Sequence, residues 1–399
     1  MEFSAISGQR QLFLDSAGIS RIERLTPTMH QPDKVGPVLK ADRPSDGDGV
    51  HSASAPMWIE DEKVYKLVYE IRSYKRKEKR YALAISEDGI AWHKPNLGLV
   101  DFQESTRNNL FPTPDHQRVW HVIYDPDDAD DERRYKGFLT VPKGRIPVVS
   151  SDCINWHKLY FNPLDLPSGD AGTLSYDRPR RRFLGLLKRP RTHNVGRSYD
   201  ISTSEDFEHW SESRPIFGMD TNQDQEMALD IIRRRLADPG FARPMYVDPD
   251  PGLGWIPPQG KNHIPTWQAE CYNFGVFVYE GMYLGLITVY YPTGQNLPER
   301  VNTDGFNTIQ LAVSRNLKHW KRIGDRQPFL ETSRLDEGLV GNYDRLQLGF
   351  FNQGVVCGDQ VRFYYNGMKR RALMHEYYTD GTARSPVSLS AEERADWLE

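Results

Sequence analysis

The chain has 399 residues, of which 51 are Lys or Arg and 55 are Asp or Glu, for a formal net charge of −4. That balance gives no global field to recruit nucleic acid or an anionic membrane, and the length fits either two ordinary domains or one large closed β architecture. With 31 Gly, 27 Pro and 12% aromatics, and no collagen period, the composition excludes a long helical protein and favours many short strands joined by turns. Cys153, Cys271 and Cys357 lack any C-x-x-C spacing, so they read as buried small residues rather than a zinc knuckle or a disulfide framework. No apolar run approaches a membrane span and no charged n-region precedes an apolar h-region, so a cytoplasmic location is expected.

In chain order, strand-like segments at 64–70 and 80–85 lead into SEDGIAW at 86–92, and 134–139 and 146–149 lead into SSDCINW at 150–156. Segments 182–187 and 197–202 precede SEDFEHW at 204–210, and 282–291 and 308–313 precede SRNLKHW at 314–320. The same Ser-to-Trp pattern thus occurs four times. In each copy the Asp or Asn two positions after the Ser can bond nearby backbone to fix a tight turn, and the Trp can anchor the next strand against a neighbouring sheet. Between the third and fourth copies, 211–266 reads as an insertion. Asp224 is placed to cap a helix with Met227, Ala228, Ile231, Ile232 and Leu236 on its apolar stripe, stopped by Pro239 and Gly240, and a Pro- and Gly-rich stretch follows. A last strand set, 345–351, 354–357, 361–365 and 373–378, lacks the repeat.

These units predict an all-β fold, a five-bladed β-propeller forming one domain over 1–399, with a helical, Pro-rich insertion between blades three and four. The blades span about 48–100, 112–160, 168–215, 267–325 and 336–380. Six blades remain open on the same text. Residues 11–15 are expected to add a strand to the last blade, and 390–399 to form a short terminal helix opened by the capping-box pair Ser390 and Glu393. The basic runs 75–80, 180–182, 188–191 and 233–235 read as solvated turn tips and a helix face. The acidic run 125–131 lacks the calcium-loop spacing and reads as a solvated hairpin.

Further stretches carry a resemblance: QLFLD at 11–15, KPNLG at 94–98, Asn108 and Asn109, RYK at 134–136, VYEGMYLGL at 278–286, QLAVSR at 310–315 and FYYNG at 363–367. With the repeats, they make the chain similar, over nearly its whole length, to the five-bladed propeller glycosidases grouped around glycoside hydrolase families 32, 43, 68, 117 and 130. It looks nearest to a bacterial branch that resembles the family 32 N-terminal domain. The resemblance implies a pocket on the propeller axis at the heads of the innermost strands, with an Asp from each of blades one and two and a Glu from blade three. The family 32 signatures W-M-N-D-P and R-D-P are absent.

Inner strands are expected to start near Val50, His116, Ala171, Cys271 and Leu346, where carboxylates distant in sequence converge on one sugar. The candidate catalytic residues are Asp48 in blade one, with Asp46 as a nearby alternative, Asp170 in blade three and Glu270 in blade four. Each has a purely structural counterpart: a turn for Asp46 and Asp48, and a hydrogen bond to a neighbouring strand for Glu270. Glu270 follows Trp267 and precedes Tyr272, and an apolar setting of that kind would raise a carboxyl pKa as a general acid requires. The Glu270-Cys271 pair resembles the dipeptide that holds the acid in family 32. Asp115 and Glu337 are secondary possibilities.

His51, His121, Arg189, Arg197, His263, Trp267, Tyr272, Gln310 and Asp336 are the candidate substrate-binding residues, combining planar hydrogen-bonding groups with aromatic faces. No metal and no cofactor is expected; His116 and His121, five apart, would face opposite sides of a strand. No Walker loop, Rossmann fingerprint, H-E-x-x-H or G-x-S-x-G occurs. The expected activity is hydrolysis of a glycoside or oligosaccharide by carboxylate general acid/base chemistry, with a small-molecule partner and neither nucleic acid nor membrane. The alternatives are a propeller that binds carbohydrate or serves a biosynthetic reaction on a non-sugar substrate, and a phosphorylase using Arg189, His193 and Arg197 for phosphate.

Overall fold

The computed structural model describes residues 10–17, 19–47, 49–52, 54–73, 78–189, 196–220, 222–244, 246–249, 266–295, 303–338, 343–349 and 353–368. Four antiparallel sheets follow one another in chain order and form a β-propeller arrangement. In the first, β1 (Gly49–His51) and β2 (Met57–Ile59) share one edge of β3 (Val64–Ser73), followed by β4 (Glu78–Ser86) and β5 (Leu110–Phe111). The second is β6 (Val119–Tyr124), β7 (Tyr135–Val141), β8 (Gly144–Ser150) and β9 (His157–Lys158). The third is β10 (Gly172–Asp177), β11 (Arg182–Lys188), β12 (Tyr199–Ser204) and β13 (Arg214–Phe217). After helix α1 (Gln223–Ala237) comes the fourth sheet, β14 (Glu270–Tyr279), β15 (Met282–Gln295), β16 (Thr303–Ser314) and β17 (Lys321–Arg322). Two further pairs are β18 (Gln347–Gly349) with β21 (Asn366–Met368), and β19 (Val355–Cys357) with β20 (Gln360–Arg362).

Each sheet is a meander, so its first strand lies innermost and the inner strands meet around a common axis. Val122 N–H donates to Ser54 Oγ at 2.8 Å, and Thr173 Oγ1 donates to the Phe274 carbonyl at 3.0 Å, which ties inner strands of neighbouring sheets together. Apolar layers fill the gaps between sheets. Met57, Val68, Val119 and Val148 pack between the first and second, Ile123, Phe138, Leu174 and Leu187 between the second and third, and Leu186, Tyr199, Phe274 and Ile287 between the third and fourth. Burying each such side chain contributes about 1.5–3 kcal/mol before entropy is set against it. The β18–β21 region bridges the fourth sheet to the first. Phe363 packs on Phe277, while Asn366 bonds both the N–H and the carbonyl of Ser52.

The four Ser-to-Trp repeats are one turn built four times, joining the third and fourth strands of each sheet. The buried Ser hydroxyl accepts the N–H three residues on: Gly89 at 2.8 Å, Cys153 at 3.0 Å, Phe207 at 2.9 Å and Leu317 at 3.0 Å. That residue has positive φ in every copy, 75°, 72°, 67° and 59°. The carboxylate or amide oxygen of Asp88, Asp152, Asp206 or Asn316 accepts two successive N–H groups at 2.7–3.0 Å. The Trp then folds across its own sheet. A Cβ on Gly185 would stand 3.0 Å from Trp210, and one on Gly285 would stand 2.7 Å from Trp320, so these strand glycines leave room for the anchor.

Several local expectations are corrected. Residues 214–217 complete the third sheet as an edge strand, where Pro215 removes no needed donor, so they are not part of the stretch between blades. The cap of α1 is Asn222; Asp224 instead turns inward to Arg322 and Arg326. The acidic run is not simply solvated, because Asp125 and Asp128 fold onto the fully buried Lys136 at 3.1 and 2.7 Å. Residues 11–15 form no strand; Asp15 pairs with Arg315, and Leu12 and Leu14 pack against the fourth sheet. Cys153 and Cys271 are buried and Cys357 is half-buried. Segments 373–378 and 390–399 lie outside the described residues. Among the described residues, no helix is long and apolar enough to cross a membrane.

Candidate active site

The inner strands of the four sheets begin at Gly49, Val119, Gly172 and Glu270, and near these heads charged side chains from neighbouring sheets come together. Glu270 opens β14 and is 4% exposed; its Oε2 accepts a hydrogen bond from Arg197 Nη1 just ahead of β12. Gly196 has φ 64°, and a Cβ there would lie 3.0 Å from Glu270 Oε1, so glycine is required on both conformational and steric grounds. The Arg197 guanidinium lies 5.3 Å from the ring centre of Tyr272 and 5.6 Å from that of Tyr290. Tyr272 sits where β14 bulges between Cys271 and Asn273, a distortion that re-aims its side chain at the strand head.

Asp170 immediately precedes the inner strand of the third sheet. Lys188 Nζ, at the end of β11, donates to its Oδ1 at 2.8 Å and also lies 4.7 Å from the Tyr272 ring centre. The Asp170 side chain is 78% exposed while Lys188 is 6% exposed, so the carboxylate is the solvent-facing member. Protein nevertheless crowds it, and this burial favours the neutral form. The charge and hydrogen bond of Lys188, with Arg197 and Arg118 behind it, outweigh that cost and hold the carboxyl below its ordinary value. Such a group, wet at its surface yet walled by protein, fits the side of an open depression.

The first and second sheets supply a third pair. Glu70 on β3 is 4% exposed and is bonded by Arg118, at 2.5 Å from Nε and 3.1 Å from Nη2; Arg118 in turn covers Trp120 at 4.0 Å. Glu70, Asp170 and Glu270 thus face Arg118, Lys188 and Arg197, a charge-balanced cluster assembled from four sheets. Arg145 lies beneath Asp170, wholly buried, donating to the carbonyls of Pro167, Gly169 and Ala171 and to Thr140 Oγ1.

Sequence reasoning singled out Asp170, Glu270, Arg197 and Tyr272, and the structure brings these together. It places His51 on β1 in register with Glu70, and His121 in the β6 bulge at φ 58°, 2% exposed, behind Gly172. The other candidates are placed elsewhere. Trp267 is 6% exposed and packs into the layer between the third and fourth sheets, so the apolar setting expected around Glu270 is replaced by the Arg197 pair. Arg189 pairs with Asp200, Gln310 is buried against Arg322 and Tyr291, and Asp336 is an exposed loop residue 3.7 Å from Arg334. Asp46 is buried on Lys94, and Asp115 pairs with Lys158. Asp48, His193 and His263 lie outside the described residues. Lys188, Arg118, Glu70 and Arg145 were not anticipated, since their partners lie tens of residues away. Among the described residues no group of three or more His, Cys, Asp or Glu is placed to hold a metal ion.

No protein-family profile matches the chain, and no curated protein matches it. Solved structures with a similar trace include an endo-arabinase from Bacteroides thetaiotaomicron, 15% identical with a TM-score of 0.40, covering 71% of this chain and 80% of that one. A family 32 β-fructofuranosidase from Bombyx mori is 12% identical with a TM-score of 0.42, covering 79% of this chain and about half, 53%, of its own. An N-acetylgalactosamine deacetylase from F. plautii is 12% identical with a TM-score of 0.40, covering 74% and 72%. At such scores the likeness carries no argument about chemistry, which rests on the side chains at the axis.

Proposed function

We propose that the chain is a glycosidase-like enzyme that binds a glycoside or small oligosaccharide at the heads of the inner strands of a five-bladed ring, with β18–β21 in the fifth position. The observation that carries this reading is the pairing of a solvent-facing Asp170 with Lys188 and of a buried Glu270 with Arg197, the two cations both lying over Tyr272, with Arg197 also helping to hold Asp170 ionised. Asp170 is suited to face the positive charge that develops at the anomeric carbon, or to orient a water there. To serve as the acid, Glu270 must first take up a proton from solvent and give up its pair with Arg197, whose guanidinium then rests on Tyr272 and Tyr290; that proton passes to the glycosidic oxygen as the bond to the leaving group breaks. The separation of the two carboxyls in the substrate complex then fixes the stereochemistry, near 5 Å for retention and roughly 6.5–9.5 Å for inversion.

The test is turnover of a panel of p-nitrophenyl glycosides and unbranched oligosaccharides by the wild type, Asp170→Asn and Glu270→Gln. Loss in both variants supports the reading, and undiminished turnover in either overturns that residue's role. Lys188 and Arg197 beside the mouth favour phosphorolysis as a second reading, distinguished by turnover that requires inorganic phosphate. Sugar binding in calorimetry without any turnover would make the chain a binding propeller.

A further inference from the structure

Arg145 is buried without a carboxylate. Its side chain, on β8 of the second sheet, is 0% exposed, and among the described residues its hydrogen-bond partners are three carbonyls and one hydroxyl. Burying an unpaired guanidinium is costly unless its donors are satisfied, and here Nε takes the Pro167 carbonyl at 2.9 Å and Nη1 takes Thr140 Oγ1 at 2.9 Å. Nη2 takes the carbonyls of Gly169 at 3.1 Å and Ala171 at 3.3 Å. The three carbonyls belong to one stretch of five residues, and Asp170 lies between the last two. The backbone there is also held from the other side. A Cβ at Gly169 would stand 2.6 Å from the Lys188 carbonyl, and one at Gly172 would stand 2.8 Å from the Leu186 carbonyl and 3.2 Å from His121 Nε2.

We infer that Arg145 is a positioning residue: its planar fork, reaching across from the second sheet, fixes the 167–171 backbone so that the Asp170 carboxylate is presented to the axial mouth. The inference rests on the role given above to Asp170. Lysine cannot replace the fork, because one ammonium in the place of Nη2 would leave the Pro167 carbonyl and Thr140 Oγ1 without the donors that Nε and Nη1 supply. The energetic logic explains why a charge sits where a hydrophobic residue would pack: the carbonyls on either side of Asp170 face inward and need donors.

The experiment uses the full chain and the p-nitrophenyl glycoside that the wild type turns over fastest. Arg145→Gln should lower kcat by about 10²-fold, with KM changed less than threefold, because the displaced group acts in the transition state and not in binding. Arg145→Lys should recover only part of that loss. In an Asp170→Asn background Arg145→Gln should cause little further loss of kcat, since both changes disable the same carboxylate. Independent, multiplicative losses would overturn the inference, as would Arg145→Gln acting on KM alone. Should Arg145→Gln fail to fold, Thr140→Val, which removes only the acceptor beneath Nη1, takes its place with a smaller kcat loss and the same non-additivity. If Asp170→Asn alone leaves kcat unchanged, the role of Asp170 has failed, and the inference fails with it; losses in both single variants that multiply refute the positioning role alone.

Discussion

Replacing Arg197 with Met would strand a buried carboxylate. Glu270 is 4% exposed and the Arg197 side chain 14%, while Met keeps the apolar stem but not the guanidinium that covers Tyr272 and Tyr290. An exposed pair of this kind is worth about 0–1 kcal/mol, but removing one member of a buried pair costs about 3–5 kcal/mol, because the remaining charge is left unsolvated. Arg197→Met should therefore lower the unfolding free energy by about 3–5 kcal/mol in urea denaturation followed by tryptophan fluorescence at pH 7.5. Adding Glu270→Gln removes the stranded charge, so the double variant should recover much of the loss, a coupling of about 2–3 kcal/mol. A loss below about 1 kcal/mol, with the double variant additive, would mean that the pair is solvated and that the head of β14 is not built as described.

Other consequences are equally specific. At Asp170, burial opposes the charged form but Lys188, Arg197 and Arg118 outweigh it, so the charged carboxylate adds stability above its unfolded value of about 3.9 and loses it as pH falls through the depressed folded value. Lys188→Met should accordingly move the acid limb of the pH–kcat profile to higher pH; an unmoved limb would show that Lys188 does not hold the carboxylate ionised. Asp206→Ala removes the acceptor for two N–H groups and should cost about 1–3 kcal/mol, whereas Asp206→Asn should cost far less, since Asn316 makes the same two bonds at 2.9 and 3.0 Å. Equal losses from the two substitutions, measured by denaturant unfolding, would refute that account of the turn. Gly285→Ala would place a methyl 2.7 Å from both Phe274 and Trp320 and should destabilise by about 1–3 kcal/mol; a neutral result in the same assay would show the Trp anchor to be loosely packed.

What could be read from the sequence was what the chain does locally. The Ser-to-Trp turn uses partners within six residues, so its hydrogen bonds, its anchor and its recurrence were all legible, and the strands flanking it were located to within a few positions. Inner strands expected near Val50, His116, Ala171 and Cys271 begin at Gly49, Val119, Gly172 and Glu270. Long-range pairing was hidden. Asp224 has a plausible capping position, but Arg322 and Arg326, about a hundred residues on, recruit its carboxylate. Trp267 stands three residues before Glu270, yet positive φ at Trp267 turns it into the core. Glu70 with Arg118 and Glu270 with Arg197 join positions separated by 48 and 73 residues, and only the packing of adjacent sheets brings them together. Gly169 and Gly172, which flank Asp170 in the sequence, leave space for the carbonyls of Lys188 and Leu186 on β11.

The central claim is that Asp170 and Glu270 perform the chemistry at the axis. The most direct measurement is kcat for Asp170→Asn and Glu270→Gln on the best glycoside of the panel, with Phe161→Ser, a 93% exposed position, as the control. Both site variants should lose about 10²–10⁴-fold in kcat while remaining folded at the assay temperature, with the control unchanged. Either variant turning over at the wild-type rate would contradict the account.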